Sequence, residues 1–341
     1  AIYRWDFEFR TLFIVRLIGL CIPFVITIPL ALLGLDYWSL IIGTLVVQLS
    51  NAIILTAKSK WKPKLYYSFS TFKEMFSFSV WSLIEAISIW LTTWIDAFII
   101  GSFLNSYYMG LYKTSITMVN TLLSLITSAT TPVLFSALSR LQDDESQFFK
   151  TFLKFQRLVS ALVFPLGIGV YLYSDLATEI LLGSKWTEAA GVIAMWGITS
   201  PVVIVFSHYC SEVYRSKGMP KLSFYSQVLH LVFLVPTCII SAQYGFWALV
   251  YARSLIRFQG IIVHMIFIKY SIKLPILKIF KNVIPPAIAT FTMALLCIVL
   301  KMVSTSILFD FISIAIAAIF YFCILFLFPK MRKELLGLVR K

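Results

Sequence analysis

ALVYARSLIRFQGIIVHM, residues 248–265, sets Arg253 and Arg257 four residues apart in a run otherwise fit for lipid. On a membrane-insertion scale an arginine at mid-helix costs about 2.5 to 3.5 kcal/mol, so the pair costs roughly 5 to 7. Twelve Leu, Ile, Val or Phe residues between 246 and 268 offset roughly 4 to 7 kcal/mol, at about 0.3 to 0.6 each. The totals nearly cancel, so the segment belongs in a membrane only if both guanidinium groups turn to protein or water. The i, i+4 spacing puts them on one helical face. They lie about 10 and 16 Å from one end of a span about 33 Å long, and Arg257 is too deep to reach a headgroup. Arginine stays protonated and presents a planar fork suited to phosphate. Carboxylates of neighbouring helices are the structural alternative.

The same oiliness extends through the chain, which is 60% hydrophobic and 13% charged over 341 residues, with a mean hydropathy of +0.90. A soluble domain does not have this composition. Apolar runs of about 20 residues, the length that crosses a bilayer core, predict ten spans at 12–34, 38–57, 76–101, 107–136, 153–174, 188–212, 222–241, 246–268, 283–303 and 307–328. The runs are continuous and do not alternate, which predicts helices and excludes barrel strands. The fold class is therefore all-α: a polytopic helical membrane protein with about ten transmembrane helices.

A net charge of +14 would point to nucleic acid in a soluble protein, but here its distribution reports topology. With loops alternating sides, the basic stretches 58–73, 140–157, 215–221, 269–281 and 330–341 share one side with Arg4 and Arg10, and only Lys185 and Lys301 face the other. The positive-inside rule puts both termini and these loops in the cytoplasm, against anionic lipid, and calls for no nucleic-acid partner. The five cysteines lack paired spacing, and His208, His230 and His264 are scattered, so packing is expected for them and neither a disulfide framework nor a metal site. The longest external connection, 175–187, has no room for a catalytic domain, which favours a transporter over a membrane polymerase or glycosyltransferase.

GLDYWSLIIG (34–43) and QYGFWALVYA (243–252) align through Trp38 and Trp247, and the same offset pairs Lys60 with Lys269 and Lys64 with Lys273. Such internal symmetry marks repeated helical bundles. The expected organisation is 1–57 as the last two helices of an N-terminal lobe, 58–75 as a basic cytoplasmic linker, 76–268 as a six-helix C-terminal lobe, and 269–341 as a linker, two extra helices and a basic tail. It expects about four further helices before Ala1, in keeping with a first residue other than Met.

RWDFEFRTLFIVRLIG, WIDAFIIGSFLNSYYMGLYKTS with Asp96, Gly101, Gly110 and Tyr112, TPVLFSALSRLQDD, FPLGIGVYLYSDLATEILLGSKWTEAA and VYRSKGMPK follow one another in order. Together they resemble the Wzx-type lipid-linked oligosaccharide flippases of the multidrug/oligosaccharidyl-lipid/polysaccharide exporter superfamily. The resemblance covers essentially the whole chain as helices five to fourteen of fourteen. It implies two lobes around a cavity and movement of an undecaprenyl-pyrophosphate-linked oligosaccharide across the bacterial inner membrane, for O-antigen, lipopolysaccharide or capsule synthesis. It implies no enzyme chemistry and no cofactor. The partners it implies are the lipid-linked substrate, the phospholipid bilayer and other membrane proteins of polysaccharide assembly.

An ionisable residue at membrane depth is a functional candidate, because it survives only beside a cavity or a partner. Arg253 and Arg257, with Lys113 in the first turns of the fourth span, are the candidates for binding pyrophosphate. Glu85 and Asp96, eleven residues apart and so close to one face of the third span, are the candidates for ion coupling. For these carboxylates a fixed ion pair is the alternative, and for the chain as a whole the alternative is a cation-coupled drug exporter of the same superfamily.

Overall fold

The computed structural model of the chain describes residues 9–59, 68–304 and 306–339. Segment 60–67 of the expected linker, and the side chain of Glu85, lie outside the described residues. The described regular elements are all helical, and ten helices are long and apolar enough to cross a membrane. The chain divides into two compact units, Ala1–Phe76 and Ser77–Lys341.

In the first unit α1 (Phe9–Ile22) passes through a π-helical turn at Pro23–Thr27 into α2 (Ile28–Leu32), and α3 (Asp36–Lys58) returns against them. The turn widens at Pro23, where the Ile28 N–H reaches back to the Pro23 carbonyl, because the prolines at 23 and 29 cannot donate to an α ladder. A Cβ on Gly43 would come within 2.0 Å of Thr27 Oγ1, so α3 lies on that turn only as glycine.

The second unit is reached along α4 (Phe69–Phe103) and continues with α5 (Ser106–Ser139), α6 (Glu145–Leu172) and the short α7 (Ser174–Leu181). Next come α8 (Ala189–Val203), a π-helical turn at Ile204–His208, and α9 (Tyr209–Ser216). The order ends with α10 (Pro220–Ala242), α11 (Phe246–Phe267), α12 (Ile276–Asn282), α13 (Ile284–Lys301), α14 (Ile307–Leu327) and α15 (Pro329–Val339). Hydropathy places the spans within a few residues but misses two polar extensions: α4 starts at Phe69, and α6 starts at Glu145, where the Asp144 carboxylate caps the Gln147 N–H at 3.0 Å. Capping residues carry no hydropathy signal.

Helix α8 is the hub of this unit, packing on α5, α6 and α11. Small residues set its approach to α6: a Cβ on Gly167 would meet Pro201 Cγ at 2.0 Å and the Gly197 carbonyl at 2.6 Å. Close packing at small residues is how membrane helices associate, since lipid supplies no hydrophobic drive between them.

Helices α13 and α14 pair with each other and lean on α6, and α15 is fastened by a polar cluster. Arg157 of α6 is 4% exposed. Its Nε donates to Glu334 Oε2 at 2.8 Å, its Nη2 to Glu334 Oε1, and its Nη1 to Asn282 Oδ1 at 2.9 Å. Asn282 donates in turn to the Leu153 carbonyl at 2.7 Å and to Gln156 Oε1 at 3.1 Å. Charge pattern alone assigns Arg157 to a basic surface loop; it is instead buried and held through all three guanidinium nitrogens.

Candidate functional site

The site sits where α4, α5, α8 and α11 converge. Asn105 ends the α4–α5 connection and caps α5, its Oδ1 accepting from the Tyr108 N–H at 2.9 Å. This fixes the first turns of α5, so that Tyr112 and Lys113 follow at set heights. Helix α11 starts after Gly245, whose φ of 97° suits glycine. Its first residue, Phe246, stacks on Tyr108 at 4.5 Å between ring centroids. That contact fixes the register of α11 on α5, bringing Arg253 opposite Tyr112.

Asp96, 3% exposed, is the anionic centre. Its Oδ2 accepts from Arg253 Nε at 2.9 Å and from the Tyr112 hydroxyl at 2.8 Å, and its Oδ1 from the Ala97 N–H at 2.8 Å. Arg253 is itself buried, and its Nη1 finds no hydrogen-bond partner among the described residues. A buried donor without a partner costs about 1 to 3 kcal/mol, so this one calls for a purpose.

Trp196 of α8 organises both arginines. The Arg257 guanidinium lies 4.0 Å from its ring centroid and that of Arg253 5.3 Å, while Tyr112 meets it edge-on at 6.3 Å. The indole N–H donates to Asn120 Oδ1 at 3.1 Å, which holds the ring in place. Arg257 Nη1 donates to Thr199 Oγ1 at 3.1 Å and Ser200 Oγ at 2.9 Å. No carboxylate among the described residues lies within ion-pair distance of Arg257. The two arginines, alike in the sequence, thus differ: Asp96 answers Arg253, and hydroxyls and an indole face answer Arg257.

Lys113 donates to the Thr93 carbonyl at 2.9 Å and lies 3.9 Å from the Trp94 ring centroid. Together with Asp96, Tyr112, Trp196 and Arg253 it lines a cavity of about 570 Å³. Asp96 is the one carboxylate among the described lining residues, against the cations Lys113 and Arg253. With Asp96 paired to Arg253, the charge of Lys113 is left in excess at this cavity. Of the five residues singled out from sequence, Arg253, Asp96 and Lys113 meet at this cavity, Arg257 stacks on the ring that bounds it, and the Glu85 side chain lies outside the described residues.

Sequence reasoning missed Trp196 and the stripe on α5 that continues from Lys113 through Thr117, Asn120, Thr121 and Ser124, all lining the cavity. Their spacing of i, i+4, i+7, i+8 and i+11 is one face of a helix. Polar residues on one face of a membrane span are a readable signal of a cavity. The histidines are hydrogen-bonded within the fold: His208 to Thr131, His230 to Gln259 and His264 to Tyr214. Among the described residues no three His, Cys, Asp or Glu side chains group as metal ligands.

Residues 1–191 match the family described as polysaccharide biosynthesis protein. The chain is 23% identical over 259 residues to the teichuronic acid biosynthesis protein TuaB of Bacillus subtilis, covering 75% of this chain and 53% of that protein. It is 20% identical to the lipopolysaccharide biosynthesis protein WzxC of Escherichia coli, over 71% of this chain and 50% of that one. It is 29% identical to the probable low-salt glycan biosynthesis flippase Agl15 of Haloferax volcanii, over 47% of this chain and 34% of the other. The chain therefore spans about half the length of the curated relatives TuaB and WzxC. Among solved structures, the lipid II flippase MurJ in its inward closed conformation shares the fold, with a TM-score of 0.72 at 17% identity, over 90% of this chain and 65% of that one. This multi-pass membrane protein belongs to the polysaccharide biosynthesis protein family.

Proposed function

We propose that the protein moves a polyprenyl-diphosphate-linked oligosaccharide across the bacterial inner membrane, with its basic loops in the cytoplasm. The observation that carries this reading is the cavity lined by two cations and one carboxylate, with Arg253 bonded through Nε alone among the described residues. A diphosphate supplies the missing charge and the missing acceptor. Lys113 meets it as a mobile point charge, Arg253 is the second cation at the cavity wall and turns its guanidinium, whose Nη1 is enclosed in the empty site, toward the ligand, and Arg257 holds Trp196 and the α8 hydroxyls in register behind it. A drug exporter for cationic cargo would place the opposite charge here.

Asp96 then acts as the internal counter-charge that keeps Arg253 ionised and in place while the cavity is empty. The ion pair makes the membrane cost of Arg253 bearable, and the ligand competes with Asp96 for the guanidinium. An apolar cavity of about 500 Å³ among α6, α7, α13 and α14 offers the isoprenoid chain a surface. The relatives point the same way, since their names include a glycan biosynthesis flippase and a succinoglycan biosynthesis transport protein.

The test is calorimetric titration of the chain in phosphatidylcholine nanodiscs with farnesyl diphosphate and with farnesol. Saturable binding of the diphosphate with at least 10-fold preference over farnesol is expected. Equal binding of the two would remove the anion site and with it this reading.

A further inference from the structure

The polar stripe of α5 is unlike the cationic end of the cavity. Between 117 and 124 its lining residues are Thr117, Asn120, Thr121 and Ser124, with no ionisable group among them. Two of the three hydroxyl protons are already committed: Thr121 Oγ1 donates to the Thr117 carbonyl at 2.7 Å and Ser124 Oγ to the Thr121 carbonyl at 2.7 Å. Across the cavity Thr92 and Thr93 donate in the same manner to Ser88 and Ile89, at 3.0 and 2.8 Å. A hydroxyl whose proton is bonded to its own helix presents only lone pairs outward. The wall therefore offers neutral acceptors at Thr121 and Ser124, about 4.5 Å apart along the helix, while Thr92 Oγ1 across the cavity accepts from Gln227 Nε2. Asn120 interrupts it with amide donors, because its Oδ1 is taken by Trp196.

Such a wall offers an anion no cation, and an apolar chain would strip water from polar groups it cannot satisfy. A ligand rich in hydroxyl donors and carrying no charge satisfies it. We propose that Thr117, Asn120, Thr121 and Ser124 form a saccharide subsite that takes the neutral pyranose next to the diphosphate. The inference rests on the flippase reading for the anion end. It also sets an orientation: the diphosphate lies at the Lys113 end of α5, and the sugar lies along the helix toward Ser124. Trp196, pinned by Asn120 and Arg257, bounds the sugar on the α8 side, and Trp94 supplies an apolar face at the anion end.

Two probes that differ only in the sugar decide it: farnesyl diphosphate and farnesyl-diphospho-glucose, titrated into the chain in phosphatidylcholine nanodiscs. The sugar-bearing probe should bind about 10-fold more tightly, equivalent to about 1.4 kcal/mol. In the combined variant Thr117→Val, Thr121→Val, Ser124→Ala that gain should vanish while the bare diphosphate binds as before. Should the triple variant not fold, Ser124→Ala alone should lose about 2- to 4-fold of the gain. No gain in the unmodified chain, or a gain that survives loss of the hydroxyls, would overturn the subsite. So would erasure of the gain in phosphatidylglycerol nanodiscs, which would give the face to a phospholipid headgroup. If Lys113→Gln leaves bare diphosphate binding untouched while the sugar gain persists, the anion reading fails and the saccharide subsite stands.

Discussion

Two buried arginines in this lobe have met the same membrane cost in opposite ways. Arg157 faces Glu334 fork to fork, with Asn282 on its third nitrogen. Arg253 lines a cavity, touches Asp96 through Nε alone, shares that carboxylate with Tyr112, and has an enclosed Nη1 without a partner among the described residues. The first pair is closed, and its task is to hold α15 against α6. The second is not closed in this way, and the proposed reading gives its unused donor to a ligand once the guanidinium turns toward the cavity. A buried ion pair is by itself poor evidence of function; what separates these two is the count of satisfied nitrogens and the presence of a space beside them.

The comparison breaks most visibly at Glu334. Glu334→Ala strands a fully buried guanidinium, so thermal unfolding in detergent should show a loss of about 3 to 5 kcal/mol. Replacing both partners, Arg157→Met with Glu334→Leu, should recover most of it. Were the single variant to unfold like the parent, Arg157 would be solvated and the pair not closed. Asp96→Asn should cost less, about 1 to 3 kcal/mol, because Arg253 can turn to the cavity and its contents. Tyr112→Phe removes one hydrogen bond to a carboxylate that keeps two others, and should cost about 0.5 to 1.5 kcal/mol without changing anion affinity. Salt sharpens the contrast at the small end: raising it from 50 to 500 mM should weaken diphosphate binding at the open pair through screening. The same change should leave the Glu334→Ala destabilisation the same within error.

Much of the fold was legible because a bilayer imposes one dominant rule, a run of about 20 apolar residues per crossing. Where that rule stops, so did the reading: the polar extensions starting at Phe69 and Glu145, and the short α7 after Tyr173, follow caps and amphipathic packing. The cationic residues of the site could be found because charge in an apolar run is conspicuous. Their partners could not, since Asp96 and Arg253 are 157 residues apart and any of several carboxylates could have answered. Arg157 was invisible as a core residue because it fell at the cytoplasmic end of the predicted span 153–174, where with Lys150 and Lys154 it counted only toward the basic side. Trp196 carries no signal in a chain that is 16% aromatic. The stripe from Thr117 to Ser124 was readable by its period, but hydroxyls in membrane helices commonly bond their own backbone and so attract little notice.

On the proposed reading the cavity at Arg253 takes an anion whose charge Asp96 opposes and Lys113 assists. Farnesyl diphosphate titrated into the parent chain, Lys113→Gln and Asp96→Asn under identical conditions separates these roles. Affinities should move in opposite directions, at least 10-fold weaker for Lys113→Gln and several-fold tighter for Asp96→Asn. Unchanged affinity in both, or weakening in both, would contradict that reading.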